Sequence, residues 1–261
     1  MSSTGARWRR GCSGREDQVT SKSKIDRLGD RLRDGESTVD DLRLLDSYRE
    51  SFAEGYDSIV ATIRSETSLA PTGRPRKTTE SIVDKLRRES IRLSQVQDIA
   101  GCRLVVGNML TQDEVVARLG AILDRPVMVD RRQKPSHGYR AVHVIPTANG
   151  KAVEIQVRTT LQHRWAQLSE HLSDVFDPSI KYGGGDDSQR TGLANLSALV
   201  AEIEKYDGRS PAAKAQTLSA EVDGVPVIGS IDSMRMNLEA QLDLLTAALA
   251  AAKGGIRAIP D

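Results

Sequence analysis

Five polar side chains of chemically active types lie on one face of a predicted β-hairpin. Asn149-Gly150 is typical of a two-residue type I′ turn, and the flanking segments alternate and are rich in Val and Ile. If this turn closes the hairpin, His143 pairs with Gln156, and paired residues point to the same side of a sheet. The mixture of chemical types on that side indicates a functional site; a polar surface that merely faces water is the alternative. The five residues are Tyr139, His143, Glu154, Gln156 and Arg158.

Two carboxylates could hold a metal ion. Asp98 lies just before a predicted buried strand, Ile99 to Val106, where an uncompensated carboxylate would be costly. Glu154 lies on the polar face of the hairpin. Because carboxylate oxygens are ligands that Mg²⁺ prefers, we predict Asp98 as a metal ligand, and Glu154 either as the second ligand or as the group that accepts a proton from an attacking hydroxyl. The alternatives are that Asp98 caps a turn and that Glu154 is a surface residue paired with Arg158.

Four motifs together resemble the synthetase domain of the RelA/SpoT family, over roughly residues 40 to 175. The resemblance implies an enzyme that moves a pyrophosphate group from ATP onto the 3′-hydroxyl of a guanine nucleotide, with Mg²⁺ as cofactor. It also implies a nucleotidyltransferase-like α+β fold in which helices flank a mixed β-sheet. The motifs are Gly73-Arg74-Pro75 followed by Lys77, Ser81 and Lys85; the run from Gln97 to Arg103; Gly138 to His143; and Val153 to Thr159.

The resemblance assigns a role to each candidate residue. Asp98, Glu154 and Gln156 would be catalytic, and the first two would also bind the metal. The predicted ATP-binding residues are Arg74, Lys77, Ser81, Lys85 and Arg103. The predicted acceptor-binding residues are Arg131, Arg132, Lys134, His137, Tyr139 and His143, with the Tyr139 ring stacking on the acceptor base. A second arginine that stacks on adenine is not placed by the motifs, and Arg118 is the nearby candidate.

The segment around His137 bears on which molecule accepts the pyrophosphate group. The amino-acid sequence from Pro135 to His143 is similar to that of the toxin branch of the small alarmone synthetases. Some members of that branch modify the 3′ CCA end of tRNA. His137 stands where many guanine-nucleotide enzymes have Asn, and the spacing to Tyr139 departs by one residue. We therefore expect tRNA as the acceptor, with a block of translation and a cognate antitoxin protein as partner. Alarmone synthesis from GDP or GTP is the alternative, and a non-catalytic RNA-binding domain is a minor one.

The chain divides into three predicted segments. Residues 1–36 are rich in Arg, Lys, Gly and Ser and are interpreted as a flexible basic arm, either a solvated tail or a contact for phosphates. Residues 37–185 form the synthetase domain, which opens with one long amphipathic helix from Ser37 to Ile63. A capping box of Thr111 and Glu114 opens a later helix. Residues 186–261 are predicted as a helical extension.

Composition narrows the remaining classes of function. Lys and Arg number 37 against 36 Asp and Glu, so the overall charge by itself says nothing about nucleic acid, and we expect no DNA partner. No apolar run is long enough to cross a membrane, and two distant cysteines favour a reducing cytoplasm. The phosphate-binding motif GxxxxGK[ST] is absent from the sequence. A zinc hydrolase would need ligand spacing that His137, His143, His163 and His171 do not have.

Overall fold

A mixed sheet of six strands forms the centre of the fold in the computed structural model, which describes residues 21–209, 217–222 and 225–257. The order is β1-β2-β6-β4-β3, with β5 also on β6, and β2 runs parallel to β6 while the other pairs are antiparallel. The predicted α+β class with a mixed sheet is confirmed. The strands are β1 (Thr72–Arg74), β2 (Ala100–Val106), β3 (Val127–Asp130), β4 (Val142–Ile145), β5 (Thr147–Ala148) and β6 (Lys151–Thr159).

The predicted hairpin has the expected register. Asn149 and Gly150 both have positive φ, at 50° and 71°, as a type I′ turn requires. His143 faces Gln156, and Ala148 faces Lys151. The apolar face is fully buried, since its side chains are at most 2% exposed, and it packs against α3 (Ala53–Thr67) and α5 (Met109–Ile122). The polar face is therefore left for the site.

The long helix predicted from Ser37 is two helices. The structure has α2 (Val39–Glu50) and α3, with a break at Ser51 and Phe52. Phe52 is buried and packs edge-on against Tyr48. Apolar residues recur at the same spacing through the break, so periodicity does not reveal the change of direction. The start was predicted well, because Thr38 caps α2 in a capping box with Asp41.

Part of the predicted basic arm is folded. Lys22–Asp34 forms α1, and its Ile25, Leu28 and Leu32 are at most 2% exposed. They pack with residues of α4 (Thr79–Arg88) in a hydrophobic cluster. The expectation of a flexible segment through residue 36 thus differs from the structure, because three apolar residues at helical spacing are hidden among the charges. Residues 1–20 of the arm lie outside the described part.

Two helices of the predicted extension, α7 (Asp187–Glu204) and α8 (Ile231–Arg257), pack against α6 (Thr160–Val175), which belongs to the predicted domain of residues 37–185. The three helices share one hydrophobic cluster around Trp165. A hairpin of β7 (Thr217–Val222) and β8 (Val225–Ser230) precedes α8 and was not predicted. The helix α5 begins after Asn108, which accepts a bond from the Thr111 amide, so the predicted cap at Thr111 is wrong. No helix in the described ranges is long and apolar enough to cross a membrane.

Candidate active site

A closed ring of hydrogen bonds joins the five polar side chains of the hairpin, and we call it the polar ring. His143 Nδ1 lies 3.0 Å from Glu154 Oε1, and His143 Nε2 lies 3.0 Å from the Tyr139 hydroxyl. Arg158 Nη2 donates to the Tyr139 hydroxyl at 3.0 Å and to Gln156 Oε1 at 2.7 Å. Gln156 Nε2 closes the ring by donating to Glu154 Oε2 at 2.6 Å. Each member is therefore held in one orientation.

The ring fixes Glu154 as an ionised acceptor. Burial by itself raises the pKa of Glu154, but the hydrogen bond and charge of His143 outweigh it, so the net pKa is lowered. An ionised carboxylate only accepts hydrogen bonds. The hydrogen on His143 Nδ1 therefore forms the hydrogen bond to Glu154. Gln156 donates from the other side. Two donors therefore fix the orientation of the Glu154 carboxylate.

Asp98 lies between two lysines. Lys77 Nζ donates to Asp98 Oδ2, and Lys85 Nζ donates to Oδ1 at 2.9 Å. Burial raises the pKa of Asp98, but the charges of both lysines outweigh it and bring the pKa down to about 2. Lys77 is itself buried, and Lys85 lies in the last turn of α4. The three predicted residues are therefore brought together by the segment between β1 and α4, by α4 itself and by the segment before β2.

The two predicted metal ligands belong to neighbouring strands of the sheet, because Asp98 lies just before β2 and Glu154 lies in β6. Gly101 pairs with Glu154 across β2 and β6, and the charge of Asp98 acts on the Glu154 carboxylate. Within the described ranges, no group of three or more His, Cys, Asp or Glu side chains could hold a metal ion. Mg²⁺ is commonly bound by one or two carboxylates together with substrate phosphates. A pair of hard oxygen ligands beside two lysines fits this ion once a triphosphate is present.

Arginines continue the site across the sheet. Arg103 of β2 pairs with Gln156 of β6 and with Thr72 of β1, so it lies on the same face as the polar ring. Arg74 is exposed at the end of β1 and makes no ion pair within the described ranges. Arg118 lies on α5 and donates a hydrogen bond to Glu66 at 2.8 Å. The helix α5 packs on the opposite, apolar face of the sheet. The structure thus leaves Arg118 away from the site.

The predicted basic loop, Arg131 to His137, lies in the segment that joins β3 to β4, and we call that segment, residues 131–141, the acceptor loop. Its predicted acceptor-binding cations differ in whether they have an ion-pair partner. The Arg132 guanidinium binds Asp113 at 2.6 Å and Asp130 at 2.7 Å, so its charge is already compensated. Arg131 is half-buried and Lys134 exposed, and neither has an ion pair among the residues described. His137 is exposed and has a φ of 52°. Its ring lies against Gly183, since a Cβ atom added to Gly183 would come within 2.1 Å of the His137 ring.

A contact that the sequence did not indicate anchors this loop to α7. Ser197 donates to the Gly138 carbonyl at 2.6 Å, and Arg140 Nε donates to the Ser197 hydroxyl at 3.0 Å. Gly138 has φ of 88°, and a Cβ there would come within 2.6 Å of Trp165. Trp165 Nε1 in turn donates to the Leu193 carbonyl at 2.9 Å. No sequence motif links positions so far apart in the chain.

The chain is similar to a known protein family, to mycobacterial proteins and to solved structures. A family described as a region found in RelA/SpoT proteins matches residues 73–173. Uncharacterised proteins of Mycobacterium bovis and Mycobacterium tuberculosis are 35% identical over 199 residues, which cover 70% of this chain and 71% of each relative. Among solved structures, small alarmone synthetase 1 of Bacillus subtilis bound to its product pppGpp is 25% identical, with a TM-score of 0.48, over 62% of this chain and 92% of that one. The same enzyme bound to AMPCPP is 23% identical, with a TM-score of 0.41, over 62% and 91%.

Proposed function

We propose that this chain, which belongs to the RelA/SpoT family of pyrophosphotransferases, moves the β,γ-pyrophosphoryl group of ATP to the 3′-hydroxyl of a nucleotide acceptor. The 3′-oxygen forms a bond to the β-phosphorus, the bond from that phosphorus to the oxygen bridging the α-phosphate breaks, and AMP leaves. The observation that carries the proposal is the pairing of β2 with β6, which sets the oriented Glu154 opposite Gly101, three residues after Asp98 and its two lysines.

The cationic side of the site would bind ATP. Transfer of a phosphoryl or pyrophosphoryl group depends mostly on positioning and charge neutralisation, because the negative charge lies on peripheral oxygens. Lys77 and Lys85 would exchange Asp98 for phosphate oxygens, and Arg74 and Arg103 would contact the nucleotide from β1 and β2. Mg²⁺ held by Asp98 and Glu154 would supply further charge neutralisation.

The polar ring would prepare the acceptor. Glu154 would accept a hydrogen bond from the attacking 3′-hydroxyl, since its carboxylate is ionised and fixed by His143 and Gln156. Its lowered pKa makes it a weak base, so its main contribution would be to orient the hydroxyl and to take its proton late in the transfer. Tyr139 would offer its ring to the acceptor base while its hydroxyl holds His143.

The acceptor we propose is the 3′ CCA end of tRNA. Arg131 and Lys134 lie just before Tyr139 without ion-pair partners in the described part, so they are available to phosphates beyond the terminal nucleotide. Such an enzyme would act in the cytoplasm and block translation, and its host would need a neutralising antitoxin protein.

One observation favours GDP or GTP as the second candidate. Asp113 and Asp130 compensate Arg132, which leaves two free loop cations instead of the three that the sequence suggested. A free nucleotide carries few phosphates and needs no more than these. The two candidates share the donor side and the polar ring, and differ only in what the loop contacts.

Label transfer separates these candidates. The purified chain is incubated with ATP labelled in the γ-phosphate, Mg²⁺, and either GDP, GTP, AMP or bulk tRNA, with Glu154→Gln as the inactive control. We expect label on tRNA that is lost when the 3′ end is oxidised, together with stoichiometric AMP. Label on GDP or GTP alone would replace the tRNA proposal with alarmone synthesis. Absence of transfer to every acceptor would contradict the enzymatic function.

A further inference from the structure

Arg158 is a buried cation that lacks a carboxylate partner. Its residue is 3% exposed, and no carboxylate of the described residues lies within 4.0 Å of its guanidinium. Its Nη2 meets two neutral groups, the Tyr139 hydroxyl and the Gln156 amide oxygen. Its Nε and Nη1 are buried without any hydrogen-bond partner in the part of the chain that the structure describes.

This arrangement is unfavourable unless an anion completes it. An arginine stays charged in proteins, so it cannot relieve its burial by losing a proton. A buried charge without a counterion is strongly destabilising, whereas a buried donor satisfied by an anion is not. Arg158 lies on the polar face of β6 two residues beyond Gln156, and Arg103 of the adjacent strand β2 pairs with that same Gln156.

Two neighbours extend the same positive region. Arg103 is half-buried, its Nε is also without a partner, and the charge of Arg158 adds to burial in lowering its pKa. His163 of α6 has a buried Nδ1 without a partner, and its pKa is lowered to about 4 by burial and then by Arg103 and Arg158. Glu170 is the carboxylate that acts on Arg103, and it is exposed and forms no ion pair with it.

We propose that Arg158, Arg103 and His163 form a buried anion subsite that binds a phosphate group. The inference deepens the proposed function and rests on it for the source of that phosphate. The forked donors of an arginine match the oxygens of a phosphate, and a His163 tautomer protonated at Nδ1 adds a neutral donor. Arg158 is 3% exposed and Arg103 is half-buried, so a phosphate bound between them would be held largely away from solvent.

Inorganic pyrophosphate is the probe that tests the subsite without catalysis. We expect it to raise the melting temperature of the full chain and to bind in titration calorimetry. Arg158→Gln should reduce this affinity roughly tenfold to a hundredfold, the effect of losing hydrogen bonds to a charged group. Arg125→Gln is the matched control, because Arg125 is exposed and contacts only its neighbour Asp124. Equal affinity in wild type and Arg158→Gln would overturn the proposal.

A stability measurement without any anion separates binding from folding. Because Arg158→Gln removes an uncompensated buried charge, the variant should melt no lower than wild type in anion-free buffer. A large loss of melting temperature there would show that Arg158 is structural and would overturn the proposal. Arg103→Gln gives a second, independent test: it should lower pyrophosphate affinity, and an unchanged affinity would overturn the subsite.

Two nucleotide arms identify the source of the phosphate. If the subsite holds a donor phosphate, Arg158→Gln weakens binding of a non-hydrolysable ATP analogue; if it holds an acceptor phosphate, it weakens binding of GDP or of tRNA. No effect on any of them would overturn the proposal. Failure of label transfer in a wild type that still binds pyrophosphate through Arg158 would refute the proposed function and leave the subsite standing.

Discussion

Ser197 of α7 donates a hydrogen bond of 2.6 Å to the carbonyl of Gly138, the residue that precedes Tyr139 in the acceptor loop. Ser197 lies beyond residues 73–173, which carry the family match, and it is buried. The C-terminal extension therefore bears directly on the loop that would bind the acceptor. This contact leads to the first prediction.

Ser197→Ala should raise the KM for the acceptor several-fold and leave the KM for ATP unchanged. The variant loses the hydrogen bond to the Gly138 carbonyl and the one from Arg140, each of about 1 kcal/mol, which corresponds to roughly fivefold in an equilibrium constant per bond. Steady-state kinetics with each substrate varied in turn checks it. Thr191→Ala, an exposed position on the same helix, is the control. A parallel rise in both KM values would mean that the contact stabilises the whole domain and not the loop.

Glu154→Gln and Asp98→Asn should each reduce transfer at least a hundredfold. Loss of a charged group that acts on the transition state costs roughly 3 kcal/mol or more. Single-turnover rates in Mg²⁺ give the measurement, and circular dichroism checks that each variant is folded. Asp124→Asn, which is exposed, serves as a control. Near-wild-type turnover in either variant would remove that carboxylate from the mechanism.

The Asp98 cluster should stabilise the fold in a defined pH range. The pKa of Asp98 falls from its ordinary 3.8 to about 2, so its ionised form is favoured in the folded state. A lowered carboxyl pKa contributes stability that is present above about pH 4 and is lost as the pH falls towards 2, on the order of 2 kcal/mol.

Urea unfolding of wild type and Asp98→Asn at several pH values measures this contribution. The wild type should be the more stable at pH 6, and the difference should shrink between pH 4 and 2. A difference that does not change with pH would mean that packing, and not the charge of Asp98, sets the effect.

Two substitutions of Tyr139 separate its ring from its hydroxyl. Tyr139→Ala should weaken acceptor binding by about 1–3 kcal/mol, the usual contribution of a base stack. Tyr139→Phe keeps the ring but removes the partner of His143 and Arg158, so it should lower kcat more than acceptor affinity. Binding of an ATP analogue should hardly change in either variant. An equal loss of ATP affinity would assign the ring to the fold or the donor pocket.

Salt dependence tests the acceptor loop. With tRNA as the acceptor, Arg131→Ala and Lys134→Ala should each reduce the slope of log K against log salt by roughly 0.7 to 0.9, because each loses one phosphate contact. Arg132→Ala should not change the slope in this way, since Asp113 and Asp130 already compensate that charge. Filter binding over a range of salt gives the slopes. An effect of Arg132→Ala as large as the others would contradict the compensation.

Local features of the sequence determined the hairpin. The Asn149-Gly150 turn and the alternation around it depend only on neighbouring residues, so they predicted the register that pairs His143 with Gln156. The same register placed the five polar residues on one face. The motifs likewise singled out Asp98, Lys77 and Lys85 as site residues, and the structure joins them through direct contacts that the motifs did not specify.

Only the tertiary structure decided which of these charges are available. Arg132 is compensated by Asp113, nineteen positions earlier in the chain, and Ser197 reaches the loop from 57 positions beyond Arg140. The burial of Arg158 without a counterion depends in the same way on strands and helices that are distant in the sequence but pack together in the fold. Turn and strand preferences act over a few residues, whereas the neutralisation of a charge depends on which side chains packing brings within hydrogen-bond distance.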